Sequence, residues 1–218
     1  MIYLKEFATE AAYDAAKDGL LIPNVSLITD SGEVKYLNKS GDGHEYVDLG
    51  LPNGTLWATM NVGANSETEI GNYYMYGKGA RQYNSEDGYY DVVEFPLAAS
   101  ADTATQVLGE DCHTPTESQF DELTANTTFT WETNFNGSGI SGGKFTNKSD
   151  STKYIFLPAA GYYDNDKELK NVGVIGAYWT STPHQWSTAL MASFNNESAK
   201  NDIFNRKRGL SIRPVKDA

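Results

Sequence analysis

The sequence predicts an α+β fold, in which one sizeable domain follows a small separate unit. Three observations indicate this class. The 218 residues include 14 tyrosines and 20 glycines, while only 21% are charged, a composition that favours strands and tight turns. A strong helix start occurs at residues 114–117. The first forty residues show the order strand, helix, strand, strand.

The predicted amino-terminal unit comprises residues 1–40. Residues 2–7 can form a strand, and residues 9–19 a helix that begins at a threonine N-cap and stops at a glycine. Residues 25–29 and 33–37 are predicted to pair as two strands around a turn. So short a β-α-β-β unit has little apolar surface of its own. We therefore expect it to dock on the main domain, or to form homo-oligomers or attach to a larger assembly.

A polar linker, residues 38–43, precedes the predicted main domain of residues 44–218. Its first two strands are predicted within residues 44–64, on either side of the Pro-Asn-Gly turn at residues 52–54. Residues 77–111 contain several glycines and many polar side chains, so they are predicted to be loops.

The clearest helix start lies in Cys-His-Thr-Pro-Thr-Glu. Thr114 and Glu117 have the spacing of a Thr-x-x-Glu capping box, and Pro115 falls at the first helical position. Phe120 and Leu123, three residues apart, then share one face of the helix. A helix that packs this face against the core is therefore predicted.

The second half of the domain is predicted to be irregular around a few strands. Residues 126–150 are turn-rich, and residues 154–163 are nearly all apolar, as in a central strand. The acidic residues 164–168 are typical of a solvated hairpin tip. In the last forty residues, two buried strands are expected to flank a polar, irregular segment, residues 184–208.

Six segments resemble, in the same order, the Fibrobacter-type major paralogous domain. The resemblance covers roughly residues 44–216, and six ordered motifs make it specific. It implies a C-type-lectin-like domain of the formylglycine-generating-enzyme branch, from a gut bacterium or its phage. The segments are YVDLGLPNGTLWAT at 46–59, NVGA at 61–64, TPTE at 114–117, FLPAAG at 156–161, YWTST at 178–182 and SIRPV at 211–215.

Members of this branch also serve as variable proteins of diversity-generating retroelements, in which the last part of the domain is rewritten to create new binding surfaces. The resemblance implies that residues 182–208 would be that part. Several of them are Asn, Asp, Ser, Thr, His or Ile, the residue types that Asn-directed rewriting produces, whereas Gln185, Trp186 and Lys200 fit less well. The predicted ligand-binding residues are Tyr178, His184, Gln185, Trp186, Ser187, Ser193, Asn195, Asn196, Asn201, Asp202, Asn205 and Arg206.

Individual side chains in and around this segment have more than one interpretation. Trp186 lies between polar residues, so it is either a ligand contact or a core side chain. The basic residues 206–208 are either contacts or ordinary surface. Arg213 belongs to a family motif, and we expect it to have a structural partner.

An enzyme is not expected. Formylglycine-generating enzymes use two cysteines near the carboxyl end, whereas this chain has one, Cys112, which we expect to be buried and structural. Cys112 and His113 are neighbours whose side chains point apart on extended backbone, which disfavours a thiolate–imidazole pair. No catalytic residue and no cofactor is predicted.

A calcium-dependent carbohydrate binder remains an alternative. Sugar-binding C-type lectins use a Glu-Pro-Asn or Gln-Pro-Asp loop with a Trp-Asn-Asp strand, and neither occurs here. Residues 164–168 could gather carboxylates, but they lack the glycine and spacing of an EF-hand loop. Three scattered histidines show no zinc spacing. No metal site is therefore predicted.

The charge distribution restricts the class of partner. The net charge of −12 argues against nucleic acid. Residues 179–218 hold six basic and three acidic side chains, a local +3 beside −15 for the remainder, which either helps binding to an anionic surface or is a solvated face. No apolar run is long enough for membrane insertion.

The sequence therefore predicts a ligand-binding, receptor-recognition protein whose partner is a protein or glycan on a cell surface. The alternatives are the calcium-dependent binder and a structural or assembly protein of a phage particle or cell surface. We expect a location on a phage virion or an extracellular surface. The first residues lack the features of a secretory signal, so a cytoplasmic location stays open.

Overall fold

The structure, a computed structural model, describes residues 25–28, 34–37, 44–84 and 97–217. The chain divides into two compact units, Met1–Gly43 and His44–Ala218. In the first unit, β1 (Val25–Ile28) and β2 (Val34–Leu37) form an antiparallel pair, which confirms the predicted hairpin strands. The strand predicted at 2–7 and the helix at 9–19 lie outside the described residues.

The predicted α+β class is wrong, because strands dominate the structure. The structure is 36% strand and 12% helix. Among the described residues of the second unit there are four small antiparallel sheets and two α-helices. Several segments that were predicted to be turns or irregular polar chain form strands instead. They account for most of the difference between the predicted and the observed fold class.

The first two sheets of the second unit have three strands each. One has the order β13-β4-β3, from β3 (Tyr46–Asp48), β4 (Leu56–Ala58) and β13 (Val215–Lys216), so the predicted pair within residues 44–64 is confirmed. The other has the order β5-β6-β7 and consists of β5 (Thr127–Glu132), β6 (Gly142–Asn147) and β7 (Tyr154–Pro158).

Strand β7 is buried, yet it lies at the edge of its sheet and is not the central strand that was predicted. Strand β7 ends at Pro158, and a separate short hairpin follows, formed by β8 (Tyr162–Tyr163) and β9 (Leu169–Lys170). Residues 165–168 at its tip are exposed, which confirms the predicted hairpin tip.

Helix α1 (Thr103–Leu108) lies in a region that was predicted to be loop. The side chain of Asp102 caps it, accepting a hydrogen bond from the Thr105 amide at 2.9 Å. The same carboxylate accepts from the Thr114 amide, with both N–O distances 3.1 Å. Asp102 thus joins the start of α1 to the segment that leads into the next helix.

Helix α2 (Glu117–Asn126) is the predicted helix, but its capping box differs from the one predicted. The N-cap is Thr116, whose hydroxyl accepts from the Gln119 amide, while the Gln119 side chain accepts from the Thr116 amide. The predicted box, two residues earlier, is therefore wrong. Phe120 and Leu123 are fully buried, as the shared helix face predicted. A short 3-10 helix, Phe135–Gly137, follows β5.

The carboxyl-terminal sheet consists of β10 (Gly176–Gln185), β11 (Thr188–Phe194) and β12 (Ala199–Asn205), in that order. Its ladder from β11 to β12 runs without interruption from Thr188↔Asn205 to Phe194↔Ala199. The prediction of an irregular segment at 184–208 is therefore wrong for most of its length.

This sheet separates two hydrophobic cores. Side chains alternate along strands, so Tyr178, Ala192 and Phe194 belong to one core cluster, while Trp179 and Met191 belong to the other. Because both faces near the middle of the sheet are covered, its strands have a fixed position from which loops and strand ends can project.

Arg213 is fully buried and has the structural partners that were expected. Its guanidinium donates to the Asn61 side-chain oxygen and to the carbonyl oxygens of Ala58 and Phe156, at 2.8 to 2.9 Å. Burial lowers the pKa of Arg213 to about 10. These bonds join the carboxyl-terminal segment to β4 and β7. Cys112 is also buried, as predicted, and its thiol donates to the Gly109 carbonyl.

Candidate ligand-binding surface

Strand β10 passes from the core to the surface along its length. Residues 176–181 are buried, residues 182 and 183 are half-buried, and His184 and Gln185 are exposed. The register shifts between Trp179 and Pro183 and again before Gln185, so the strand bends away from a regular ladder as it leaves the core.

The turn between β10 and β11 carries Trp186, whose exposed fraction is 64%. A hydrogen-bond contact of 3.1 Å between His184 Nδ1 and the Thr188 hydroxyl closes this turn. Thr188 also pairs with Asn205 on β12, which brings the end of β12 to the same tip. We call the set His184, Gln185, Trp186, Ser187, Thr188, Leu190, Ile203 and Asn205 the tip surface.

Two apolar members of the tip surface, Leu190 and Ile203, face each other across β11 and β12. Ile203 is 48% exposed, although it is a large β-branched side chain. Ile203 was absent from the predicted ligand-binding set. Side chains alternate along β12, so Ile203 shares a face with Ala199, Asn201 and Asn205. At Ala199, this face packs against the core cluster that contains Tyr178 and Phe194. This alternation was the only indication of Ile203 in the sequence.

The predicted residues Ser193, Asn195 and Asn196 lie at the opposite end of β11 from Trp186. Ser193 lies five positions after Thr188, which is about 17 Å along an extended strand. The Asn195 side chain accepts from the amides of residues 197 and 198, so it shapes the turn between β11 and β12. The predicted set therefore does not form a single patch.

Asn201 and Asp202 lie in the middle of edge strand β12, and their side chains point to opposite faces. The Asn201 amide donates to an Asp121 carboxylate oxygen at 2.7 Å and to the Glu117 carbonyl at 3.2 Å. It thus holds β12 against α2. Asp202 is exposed, and its carboxylate lies 3.8 Å from the Lys200 amine.

Tyr178 was predicted to contact ligand, but the structure places it in the core with an exposed fraction of 1%. Its hydroxyl donates to the Pro158 carbonyl at 2.7 Å and accepts from the Asn61 amide at 3.2 Å. Burial raises the pKa of Tyr178 to about 12. No local pattern in the sequence shows that both faces of β10 are covered, so the burial of Tyr178 beside Trp179 could not be predicted.

Arg206, also in the predicted set, is buried, with an exposed fraction of 7%. Its Nε donates to the Thr188 carbonyl at 2.9 Å, and its guanidinium lies over the Tyr76 ring at 5.2 Å. Burial lowers its pKa. Arg206 supports the tip surface from below and presents little of itself to a ligand.

The positive charge of residues 179–218 is largely neutralised or enclosed. Arg206 and Arg213 are buried, and Arg208 forms an ion pair with Asp164 at 3.0 Å. Lys200 lies beside Asp202. The local excess of basic residues therefore gives little support to the interpretation that this region binds an anionic surface.

Among the described residues, no group of three or more His, Cys, Asp or Glu side chains is placed to hold a metal ion. The Cys112 thiol donates to backbone carbonyls, while His113 Nε2 lies 3.4 Å from the Asp217 carboxylate. None of the described helices has the length and apolar character needed to span a membrane.

Residues 132–215 match a family described as a domain of unknown function (DUF8237). That range runs from the end of β5 to the start of β13, so it contains the whole tip surface. No curated protein and no solved structure matches the chain. The resemblance to the Fibrobacter-type major paralogous domain stays a prediction from the sequence.

Proposed function

We propose that this chain is a recognition protein whose tip surface binds a protein or glycan on a cell surface. The observation that carries the proposal is Trp186, 64% exposed at the end of a strand whose first six residues are buried. Trp57 and Trp179, in contrast, are each 1% exposed. A large aromatic side chain exposed among polar neighbours is a typical anchor of a binding surface, so a binding role accounts for its position.

The side chains around Trp186 suit a binding surface. Tryptophan contributes strongly at interface centres, where a ring of polar neighbours excludes water. His184, Gln185 and Asn205 supply polar groups, and Ile203 adds apolar area beside them. Because the strands below are fixed by two cores, little conformational entropy would be lost on binding.

The resemblance to retroelement variable proteins supports a narrower proposal, that exposed positions of residues 182–208 differ between copies of this protein. Side chains that hold the frame, such as Asn201 and Arg206, would then be kept, because their hydrogen bonds join β12 to α2 and to β11. Asn196 and Ile203, which are exposed, would be free to change. A chain of this kind belongs on a phage virion or another extracellular surface.

The test measures binding of fluorescently labelled protein to a panel of gut-bacterial strains by flow cytometry. The wild-type chain should bind a subset of strains. Trp186→Ala should weaken that binding at least tenfold, since truncating a central aromatic costs about 2 kcal/mol or more. Val174→Ala is the matched control, because Val174 is 57% exposed and lies outside the tip surface.

Protease treatment of the cells would remove a protein receptor, and periodate treatment would destroy a glycan receptor. Equal binding by Trp186→Ala and the wild type would contradict the proposal, as would binding to no strain. Loss of binding in Val174→Ala as well would indicate a general effect of surface change and would also count against the tip surface.

A further inference from the structure

Strand β12 is the edge strand of the carboxyl-terminal sheet, and among the described residues it pairs on one side only, with β11. The Arg206 amide donates to the Ser187 carbonyl, and the Asn195 amide donates to the Ser198 carbonyl. Hydrogen-bonded pairs alternate along an antiparallel ladder. The even-numbered residues of β12 therefore direct their backbone groups towards β11, and the odd-numbered residues direct theirs outwards.

Three residues in a row of alternate positions, Ala199, Asn201 and Ile203, present backbone groups at this outer edge. Within the part of the chain that the structure describes, no other residue bonds to the amide or the carbonyl of Ala199 or Asn201. The Ile203 amide donates to the carboxylate of its neighbour Asp202 at 2.8 Å. An edge with outward amides and carbonyls is a template for a further strand.

The side chains on this edge carry charge on one face and an apolar group on the other. Lys200 and Asp202 stand on the same face, two positions apart. Their side chains are 66% and 47% exposed, and their charged groups lie 3.8 Å apart. On the opposite face Ile203 is 48% exposed. A strand added to this edge would therefore meet one cation, one anion and one apolar side chain.

From this arrangement we infer that β12 pairs with β12 of a second copy of this chain, antiparallel and centred on Asn201. In this two-fold contact Lys200 lies opposite Asp202 of the second copy, and Ile203 lies opposite Ala199. Residues with outward backbone groups then face one another, so the ladder bonds can form. The Ile203 amide donates to the Ala199 carbonyl of the second copy, which releases the Asp202 carboxylate for the opposite Lys200.

The charges select this register from its neighbours. A pair centred on Lys200 would place two lysines directly opposite each other, and a pair centred on Asp202 would do the same with two carboxylates. Like charges opposite each other destabilise a ladder, whereas opposite charges stabilise it. Charged side chains on an edge also discourage pairing with unrelated strands. The same two residues that disfavour other partners thus favour a copy of the same edge.

Pairing along β12 does not depend on the proposed function. The second strand runs in the opposite direction, so the two tip surfaces lie at opposite ends of the paired strands. Trp186 lies in the turn between β10 and β11, outside the paired positions. Cell binding and self-association can therefore be lost independently.

Sedimentation velocity measures self-association of the full chain, at concentrations from about 1 µM to about 1 mM. The wild type should form a dimer. Lys200→Asp and Asp202→Lys each replace the two Lys–Asp pairs by like-charge pairs, so each should dimerise at least tenfold more weakly, which corresponds to about 1.4 kcal/mol. The double variant Lys200→Asp/Asp202→Lys restores opposite charges in the same register and should dimerise like the wild type.

A mixture of the two single variants separates pairing between copies from the ion pair within one chain. Neither variant retains a Lys–Asp pair in its own strand, but an acidic edge then lies opposite a basic edge. The mixture should form a heterodimer, whereas each variant alone dimerises weakly. A role for Lys200 and Asp202 confined to their own chain would not produce this recovery.

Lys167→Asp is the matched control, because it makes the same change of charge at the exposed tip of the β8–β9 hairpin, outside β12. It should dimerise like the wild type. The inference is overturned if the wild type stays monomeric, as it would if helix α2 obstructed the edge. It is also overturned if the charge variants associate as strongly as the wild type, as they would through residues 1–43, or if the mixture does not associate. Trp186→Ala should lose cell binding and keep the dimer.

Discussion

The two halves of strand β10 differ in what they do for the molecule. Residues 176–181 are buried between two cores and bonded to distant parts of the chain, as where Trp179 Nε1 donates to the Tyr74 carbonyl at 2.8 Å. The remainder of the strand ends in the exposed turn at Trp186. Under the proposed function, stability and recognition belong to different stretches of one strand. Substitutions in the two halves should therefore separate these properties.

The largest effect is expected at Arg213, which fixes the buried half. Arg213→Met removes three hydrogen bonds and leaves the oxygens of Asn61, Ala58 and Phe156 without this donor. Unsatisfied buried acceptors cost about 1–3 kcal/mol each, so the free energy of unfolding should fall by more than about 3 kcal/mol. The melting temperature of a domain this size should drop by roughly 6–12 °C.

Urea denaturation of Arg213→Met measures this loss, with Lys200→Met as the control. The Lys200 side chain is exposed on the edge strand, so its replacement by the same residue should change the free energy of unfolding by less than about 0.5 kcal/mol. Similar small changes in both variants would show that the buried arginine network adds nothing to stability.

A smaller effect is expected where β10 begins. A Cβ atom on Gly176 would lie 1.9 Å from Cζ of Phe194, so Gly176→Ala forces that ring to move. Overpacking of this kind costs about 1–3 kcal/mol. Phe194→Leu makes room, so the double variant should lose less stability than the sum of the two single variants. Additive losses in this cycle would contradict the contact.

The capping box of α2 should contribute about 1 kcal/mol. Thr116→Ala removes the hydroxyl that accepts from the Gln119 amide, and such caps are worth about 0.5–2 kcal/mol. Glu117→Ala removes the carboxylate that the predicted box would use and should cost only about 0.3 kcal/mol. The reverse order in thermal denaturation would favour the box at Thr114 and Glu117 that the sequence predicted.

Helix α2 shows how far local patterns determine the fold. Its buried face at Phe120 and Leu123 follows from spacing alone. The position of its N-cap does not follow from the sequence, because Thr114 and Thr116 both carry a hydroxyl that can accept a capping hydrogen bond. The Thr114 amide instead bonds to Asp102, twelve residues earlier, and this tertiary bond holds Thr114 outside the helix.

Strand β6 shows why some strands could not be predicted. Gly142 and Gly143 indicate a turn, since glycine is depleted in strands. In the structure they let other groups approach the backbone closely, because a Cβ on Gly142 would lie 2.3 Å from the Leu157 carbonyl oxygen. On Gly143 it would lie 2.8 Å from the Phe129 ring. The need for glycine at these two positions comes from residues that are distant in sequence, so no local pattern predicts it.

The candidate site was predictable in its location but not in its membership. The polar segment after Trp179 indicated an exposed surface, and the tip at Trp186 is exposed. The sequence could not show that Tyr178 and Arg206 face inward, because their burial depends on β7 and on Tyr76. It also could not show that Asn195 lies at the far end of β11, since that follows from the register of the sheet.

The smallest effect on stability is expected at the exposed end of β10. Trp186→Ala should change the free energy of unfolding by less than about 0.5 kcal/mol, as surface substitutions usually do. Trp179→Ala, which removes the same side chain from the core, should cost about 3–5 kcal/mol. Thermal denaturation of both variants gives this difference. A loss above about 2 kcal/mol in Trp186→Ala would place the indole among the groups that hold the tip together. The reduced cell binding of that variant would then reflect a distorted surface, and recognition would have to be assigned to Ile203 and its neighbours.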